Sequence, residues 1–535
     1  MDVRTVVQFA AFTRVLTLVL QAVFNALIPD HAADAFSPPR VEEGGALDGV
    51  VEALLGGLSR WDAEHFLFIA ERGYVFEHNH AFFPLLPLGL RATAGVLRPL
   101  AGWLSLRGRL LLAVAVLNSG LFVLSAAALY GLGRAVLRDR RLALLSSLLF
   151  CLTPANVFLA AGYSEALFSA LTFAGLGALE GGAPLRASLL LSLATACRAN
   201  GLANTGFLVY LPLRWGLAQA GGVCRGAGGL GRGLRLVGVG LRFLLTAAVG
   251  CVLVVLPFAV FQLYGYRTFC TPSLLPEEVP PALLALARVK GYRVPDATQP
   301  PPPWCHARPP LLYSYIQDAY WDVGFLRYFQ LRQTPNFLLA LPVAMLVAMA
   351  AWTYAAASPA LCLRLGLWGE RLMGGAGKPA SGFLNPRVFV YVVHAGVLLA
   401  FGFFCMHVQV LTRFLASSSP VLYWFSAHLL LHHEPLLQEE QQQDEQQEEQ
   451  QQDELQEEQQ QDELQEEQQQ EQKQTEQGSS LHLPRMVWGG LSHNPVTHLL
   501  LQWRCCSTLS RWLLGYFTSY WLLGLALHCN FLPWT

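Results

Sequence analysis

Residues 110–133 read LLLAVAVLNSGLFVLSAAALYGLG, and this stretch decides the fold class. It holds no charged residue over a length that a helix needs, about 20 residues, to cross a bilayer. Inside lipid each backbone polar group needs an internal partner, so such a run must be helical. Working outward, comparable runs lie near 6–28, 142–160, 164–180, 187–215 (one crossing or two short ones), 238–262, 336–357, 388–408, 411–431 and 510–529. No short alternating segments of a membrane β-barrel are present. The chain is 53% apolar and 14% charged; soluble domains carry about 25% charge. The expectation is an all-α polytopic membrane protein with roughly ten transmembrane helices. Residues 83–103 are read as an interfacial helix, and 6–28 as a retained first span.

The net charge of −1 hides an asymmetry. Residues 438–477 hold 16 of the 37 acidic residues and one of the 36 basic ones. The remainder has 35 basic against 21 acidic residues, as suits contact with lipid phosphates or anionic headgroups. From Gln438 the units QEEQQQDEQ, QEEQQQDEL, QEEQQQDEL and QEEQQQEQK follow one another. Nine residues at 100° each put Leu455 and Leu464 on opposite helix faces, so no coiled-coil seam forms. The repeat reads as a solvated insert without a role in chemistry. The expected organisation is a multi-span domain over 1–432, a low-complexity insert over 433–485, and a region 486–535 carrying the last transmembrane helix.

Basic loops set orientation. Arg134, Arg138, Arg140 and Arg141 form one cluster; Arg214, Arg225, Arg232 and Arg235 a second; Arg364, Arg371, Lys378 and Arg387 a third. With all three in the cytoplasm, loops 30–109, 161–164 and 263–335 face the other side. Eleven cysteines show no CxxC or zinc spacing. Cys270 and Cys305 flank a Pro-rich excursion; a bridge between them would suit an oxidising compartment, and free thiols packed among aromatics are the alternative.

Five constellations could carry chemistry. In Ser59–Phe66 (SRWDAEHF), Asp62, His65 and Phe66 share a helix face and Glu64 points away. A carboxylate beside an imidazole is a plausible general base, with Trp61 available to stack on a sugar; an ordinary amphipathic helix is the alternative. In PANVFLAAGYSE, Glu165 sits at the end of an apolar span, where polar groups are costly; Ser164 as a simple helix cap is equally compatible. Arg198 and Asn200 interrupt a third apolar stretch, and a buried Arg needs an anion such as Glu165 or a lipid phosphate. In HVQVLTRF, Arg413 could clamp a phosphate or snorkel to the interface. The fifth, YSYIQDAYWDVGF over 313–325, places Gln317, Asp318 and Trp321 among aromatics, as suits a carbohydrate or an interfacial belt. No P-loop, dinucleotide-binding glycines, HExxH or GxSxG occurs, so soluble-nucleotide chemistry finds no support.

These segments, with FNALIPDHAADAFSPPR, YVVHAG, CMHVQVLTRFLASSSP and HCNFLPWT, resemble the PIG-V family, GT-C superfamily glycosyltransferases of the endoplasmic reticulum that work in GPI-anchor assembly. The resemblance implies a GT-C fold with a luminal active site and a catalytic carboxylate in the first luminal loop, a place that Asp62 occupies. It implies α-1,6 transfer of the second mannose from dolichol phosphate mannose to a mannosylated GPI precursor glycolipid. The donor is β-linked and the product α, so one displacement with inversion suffices and no paired carboxylates are required. Asp62 is then the base, with Arg198 or Arg413 stabilising the departing phosphate. Phosphate is already a good leaving group, so neither a metal nor a cofactor beyond the donor is expected. Partners are the two substrates and endoplasmic-reticulum membrane lipids, with no nucleic acid. A lipid or solute transporter or scramblase is the rival reading; the absence of an internal inverted repeat weighs against it.

Overall fold

The structure, a computed structural model, describes residues 2–40, 45–225, 230–271, 279–296, 300–367, 381–439, 494–532 and 534. The Gln/Glu repeat lies outside them from residue 440 onward. Among the described residues all regular structure is helical. The helices are α1 (Asp2–Leu27), α2 (Ala46–Leu55), α3 (Asp62–Arg72), α4 (Leu85–Val96), α5 (Leu106–Leu137), α6 (Arg140–Cys151), α7 (Asn156–Ala160), α8 (Glu165–Glu180), α9 (Pro184–Cys197) and α10 (Thr205–Arg225). They continue as α11 (Leu230–Phe269), α12 (Pro281–Lys290), α13 (Leu312–Trp321), α14 (Thr334–Ala357), α15 (Pro359–Leu363), α16 (Phe389–Cys405), α17 (Leu411–Ser418), α18 (Val421–His433), α19 (Pro495–Leu501) and α20 (Thr508–His528).

Five described helices are long and apolar enough to span: α1, α5, α11, α14 and α16. A sixth is the pair Val408–Ser418 and Val421–His433, bent by 79°. The expected count of about ten is therefore not reproduced. Helices α6, α8 and α9 have only 12, 16 and 14 residues. They are short because polar or proline-bearing breaks interrupt the apolar runs: Thr153–Pro154 after α6, Arg198 after α9, and Ser419–Pro420 between α17 and α18. Backbone in a membrane breaks its helix only where protein or a polar cavity re-satisfies it. The interruptions thus mark where to look for a site. Over residues 83–103 the helix α4 covers only twelve residues, fewer than a straight span needs.

Two ends of the molecule are well defined. Helix α5 starts with Ser105, whose Oγ accepts from the Gly108 amide at 3.1 Å, and runs 32 residues, about 48 Å. At its far end Arg140 Nε pairs with Asp2 at 2.6 Å, Arg387 donates to the Ala135 carbonyl at 3.3 Å, and the Gly382 amide donates to the Leu137 carbonyl. Arg140 of the first basic cluster and Arg387 of the third therefore share one end with Asp2. At the near end Arg107 pairs with Glu64 at 2.5 Å. That pair accounts for a cationic group in the loop opposite the basic clusters. The lipid-facing belt is plain on α11, where Leu241, Leu245, Val249, Val252, Leu256, Val260 and Leu263 are exposed. These span about 33 Å at helical rise, close to the hydrocarbon thickness of about 30 Å.

Candidate active site

At the near end the five constellations converge on one cavity of about 420 Å³. The SRWDAEHF segment forms its floor. Asp62 is the first residue of α3, and the next turn adds His65 and Phe66, all three facing the cavity as their spacing requires. Glu64 points the other way, to Arg107, and burial raises its pKa. Trp61, at the cavity edge, adopts φ +58°, ψ −129°. An aromatic residue in that region is strained by roughly 1–3 kcal/mol and persists only where its surroundings over-determine it.

The arginines reach Asp62 from remote helices. Arg413 on α17 donates from Nη2 to Asp62 Oδ2 at 2.9 Å, and its Nη1 lies 3.8 Å from Glu165 Oε1. Its guanidinium carbon stands 5.1 and 5.2 Å from the ring centroids of Phe158 and Tyr163, within cation–π range. Arg413 is thus held inside rather than snorkelling. Arg198, where α9 breaks, pairs with Glu165 and donates to Ser164 Oγ at 3.2 Å. The carboxylate anticipated for the buried arginine is therefore present. Ser164 occupies the cap position of α8 but makes no capping bond; its hydroxyl serves Arg198 instead. Glu165 is fully buried behind the two guanidinium groups, while Asp62, Arg198 and Arg413 line the cavity. Asn200 lines it too and donates to Ser418 Oγ at 2.9 Å, tying the α9 break to α17.

The opposite wall is α13. Tyr313, Gln317 and Trp321, spaced by four, all face the cavity. Asp318, expected beside them, does not. It is 57% exposed and pairs with Arg327. One residue is 100° of helix, which rotates Asp318 off the face that its neighbour Gln317 occupies. The wall is pinned by Glu77, which accepts from Trp304 Nε1 at 2.9 Å and from Tyr320 OH at 3.0 Å; burial raises the pKa of this carboxyl. Cys305, next to Trp304, is joined to Cys270 in a disulfide with Cα atoms 5.6 Å apart. Trp304 and Cys305 are thereby fixed beside α13.

Sequence reasoning left Tyr163 and Phe36 without roles. Tyr163 OH accepts the Asp62 amide at 3.2 Å. His65 is sandwiched between Phe36 and Phe82, at centroid distances of 4.1 and 4.4 Å, and burial lowers its pKa to about 3. Neutral imidazole in an aromatic stack orients and fills; it does not shuttle protons near neutrality. Tyr163 and Phe36 stood inside quoted motifs, but nothing local distinguishes such aromatics from core.

The assembly defines a class: a polytopic helical membrane protein with a polar cavity at one membrane face, presenting a carboxylate and two arginines between aromatic walls. The profile described as mannosyltransferase (PIG-V) matches residues 3–535. Three curated relatives are called GPI alpha-1,6-mannosyltransferase 2. The one from Homo sapiens is 49% identical over 532 residues, 99% of this chain and 98% of that protein. Those from Rattus norvegicus and Cricetulus griseus are each 50% identical, with the same coverage. The chain therefore belongs to the PIG-V mannosyltransferase family.

Proposed function

We propose that this chain transfers mannose in α-1,6 linkage from dolichol phosphate mannose to a mannosylated GPI precursor, in the endoplasmic-reticulum membrane. The observation that carries the reading is the placement of Asp62 and Arg198 on one cavity, linked through Arg413 and Glu165. Family membership and the names of relatives about 50% identical over nearly the whole chain support the same activity. They lend no support to a transporter.

Inverting transfer needs a base at the attacking hydroxyl and a cation at the leaving phosphate. Asp62 is 35% exposed and open to the cavity, so it takes the proton of the acceptor's 6-hydroxyl. Arg413 is already engaged with Asp62 and orients it. Arg198, backed by Glu165, is then the group free to meet the donor phosphate and stabilise charge as the glycosyl bond breaks. A preformed, partly buried guanidinium does this without solvent reorganisation. Tyr313, Gln317 and Trp321 offer rings and an amide to sugar hydroxyls and faces. Arg140 and Arg387 lie at the end of α5 opposite the cavity, and a positive-inside orientation of that end supports reading the cavity as luminal.

The test is direct. Purified protein in liposomes, given labelled dolichol phosphate mannose and a one-mannose GPI precursor, should yield a product one mannose larger. That product should carry an α-1,6 bond by linkage-specific mannosidase digestion. A different linkage would remove the acceptor assignment, and no transfer would remove the activity.

A further inference from the structure

The strained backbone at Trp61 needs a restraint, and local sequence does not supply it. The side chain of Arg60 does. It is 16% exposed and contacts four groups at once. Nε donates to the Cys529 carbonyl at 3.2 Å, and Nη2 donates to Asn25 Oδ1 at 3.2 Å. Nη2 also lies 3.0 Å from Asp30 Oδ2, and the guanidinium carbon stands 4.7 Å above the Phe531 ring. Two of the four partners come from residues 469 positions or more along the chain. The same 528–531 segment reaches the neighbours of Asp62 on both sides. Phe531 meets Trp61 edge-on at 5.9 Å. His528 packs edge-on against Tyr163 at 5.5 Å and Phe158 at 5.7 Å, the two rings beneath Arg413. The segment is itself seated closely: a Cβ at Gly57 would lie 2.9 Å from Cys529 Cβ, and the His31 amide donates to the Asn530 carbonyl at 2.9 Å.

We propose that residues 528–531 form a clamp that acts through Arg60 to hold the Trp61 backbone in its strained turn and so aim the Asp62 carboxylate into the cavity. Arg60, Phe531 and His528 are positioning residues; none of them is among the residues lining the cavity. The physical case is one of over-determination. A non-glycine residue at φ +58° persists only where its surroundings over-determine it, and here the residue before it and its own ring are both held. The Arg60 fork fixes the first, and the Phe531 ring touches both. Relaxation at Trp61 would swing the first turn of α3, moving Asp62 relative to the acceptor but leaving Arg198 and Glu165 undisturbed. Misplacement of about 1 Å at a reacting group costs on the order of 10²-fold in rate. The clamp therefore governs turnover rather than donor affinity. This inference rests on reading Asp62 as the base.

The test uses the full chain in liposomes, with kcat and donor KM measured separately. Arg60→Ala should lower kcat by roughly 10- to 100-fold with donor KM within about twofold. Arg60→Lys, which retains the charge but not the fork, should recover part of that loss. Phe531→Leu should lose roughly tenfold in kcat, and Phe531→Tyr, which keeps the ring face, should restore most of it. If Arg60→Ala does not accumulate, the Phe531 pair decides alone. Phe531→Leu with kcat unchanged, or with its loss wholly in donor KM, overturns the clamp. Asp62→Asn is run in parallel; retained transfer there overturns the base assignment, an outcome the Phe531 readout does not mimic.

Discussion

Arg413 Nη2 donates to Asp62 Oδ2 at 2.9 Å, joining α17 to the first residue of α3 across 351 positions of sequence. The same guanidinium lies 3.8 Å from Glu165. The planar fork reaches both carboxylates from fixed nitrogens while lying over the Phe158 and Tyr163 rings, a geometry that the compact ammonium of lysine does not reproduce. Arg413→Lys should therefore lower kcat by roughly 10- to 100-fold through loss of Asp62 orientation. Arg198→Lys should lower kcat and raise donor KM as well, because Arg198 both meets the donor phosphate and stabilises its developing charge. Steady-state kinetics of the two variants, measured side by side, check the division of roles; an identical KM effect in both would remove it.

Glu165 holds the pair of arginines from behind and has no exposed surface. Removing one partner of a buried ion pair typically costs about 3–5 kcal/mol, because the remaining charge is stranded. Glu165→Gln should lower the thermal unfolding midpoint and nearly abolish transfer, and Glu165→Asp should recover part of both. Thermal unfolding in detergent, followed by an activity assay of the surviving protein, tests this. A Gln variant with normal stability and activity would contradict it.

Much of the site was legible because charges inside apolar runs need a reason. Arg198 stood out on that ground, its burial calling for an anion such as Glu165 or a lipid phosphate, whereas Asp62 stood out by its imidazole and aromatic neighbours and by the family resemblance. The helical face of Asp62, His65 and Phe66 was legible from spacing. What was hidden is long-range. No local signal tells that Asp62 meets Arg413, or that Arg60 meets Cys529. Asp318 was misplaced because its character was weighed without its phase; Tyr313, Gln317 and Trp321 already marked the inward face by their spacing of four. The count of about ten spans is not confirmed, with five or six candidates among the described residues; a window of apolar composition does not see the helix break at Arg198 or the 79° bend before α18.

Three buried histidines near the site give a pH signature. Burial lowers His65 and His78 to about 3 and His80 to about 4. Each is neutral in the fold, so its contribution is fully present above the unfolded value of about 6.5 and is lost as pH falls toward the folded value. Between pH 7.5 and 5.5 each should cost about 1 kcal/mol of stability. The unfolding midpoint should fall over that interval, and His65→Phe, which keeps the ring stack with Phe36 and Phe82, should fall less. Equal slopes for the two proteins would show that His65 is not buried neutral.

The Cys270–Cys305 bridge closes a long loop and should stabilise it by roughly 3–4 kcal/mol on the loop-entropy model. It also reports sidedness, since disulfides persist in the lumen and not in the cytosol. Mass spectrometry of non-reduced peptides should find 270 linked to 305. Cys305→Ser should loosen Trp304 and hence Glu77 and α13, raising acceptor KM more than donor KM. Both thiols alkylated without reduction would remove the bridge and weaken the luminal placement of the cavity.

In the proposed mannosyl transfer Asp62 removes the acceptor proton. Asp62→Asn keeps the size of the side chain and its capacity to accept from Arg413, but removes the base. The decisive measurement is the single-turnover rate of labelled mannose transfer from dolichol phosphate mannose to the one-mannose precursor, by wild type and Asp62→Asn at matched protein levels. A loss of at least about 10²-fold in the variant is expected, with donor binding retained. Transfer by Asp62→Asn at the wild-type rate would contradict it.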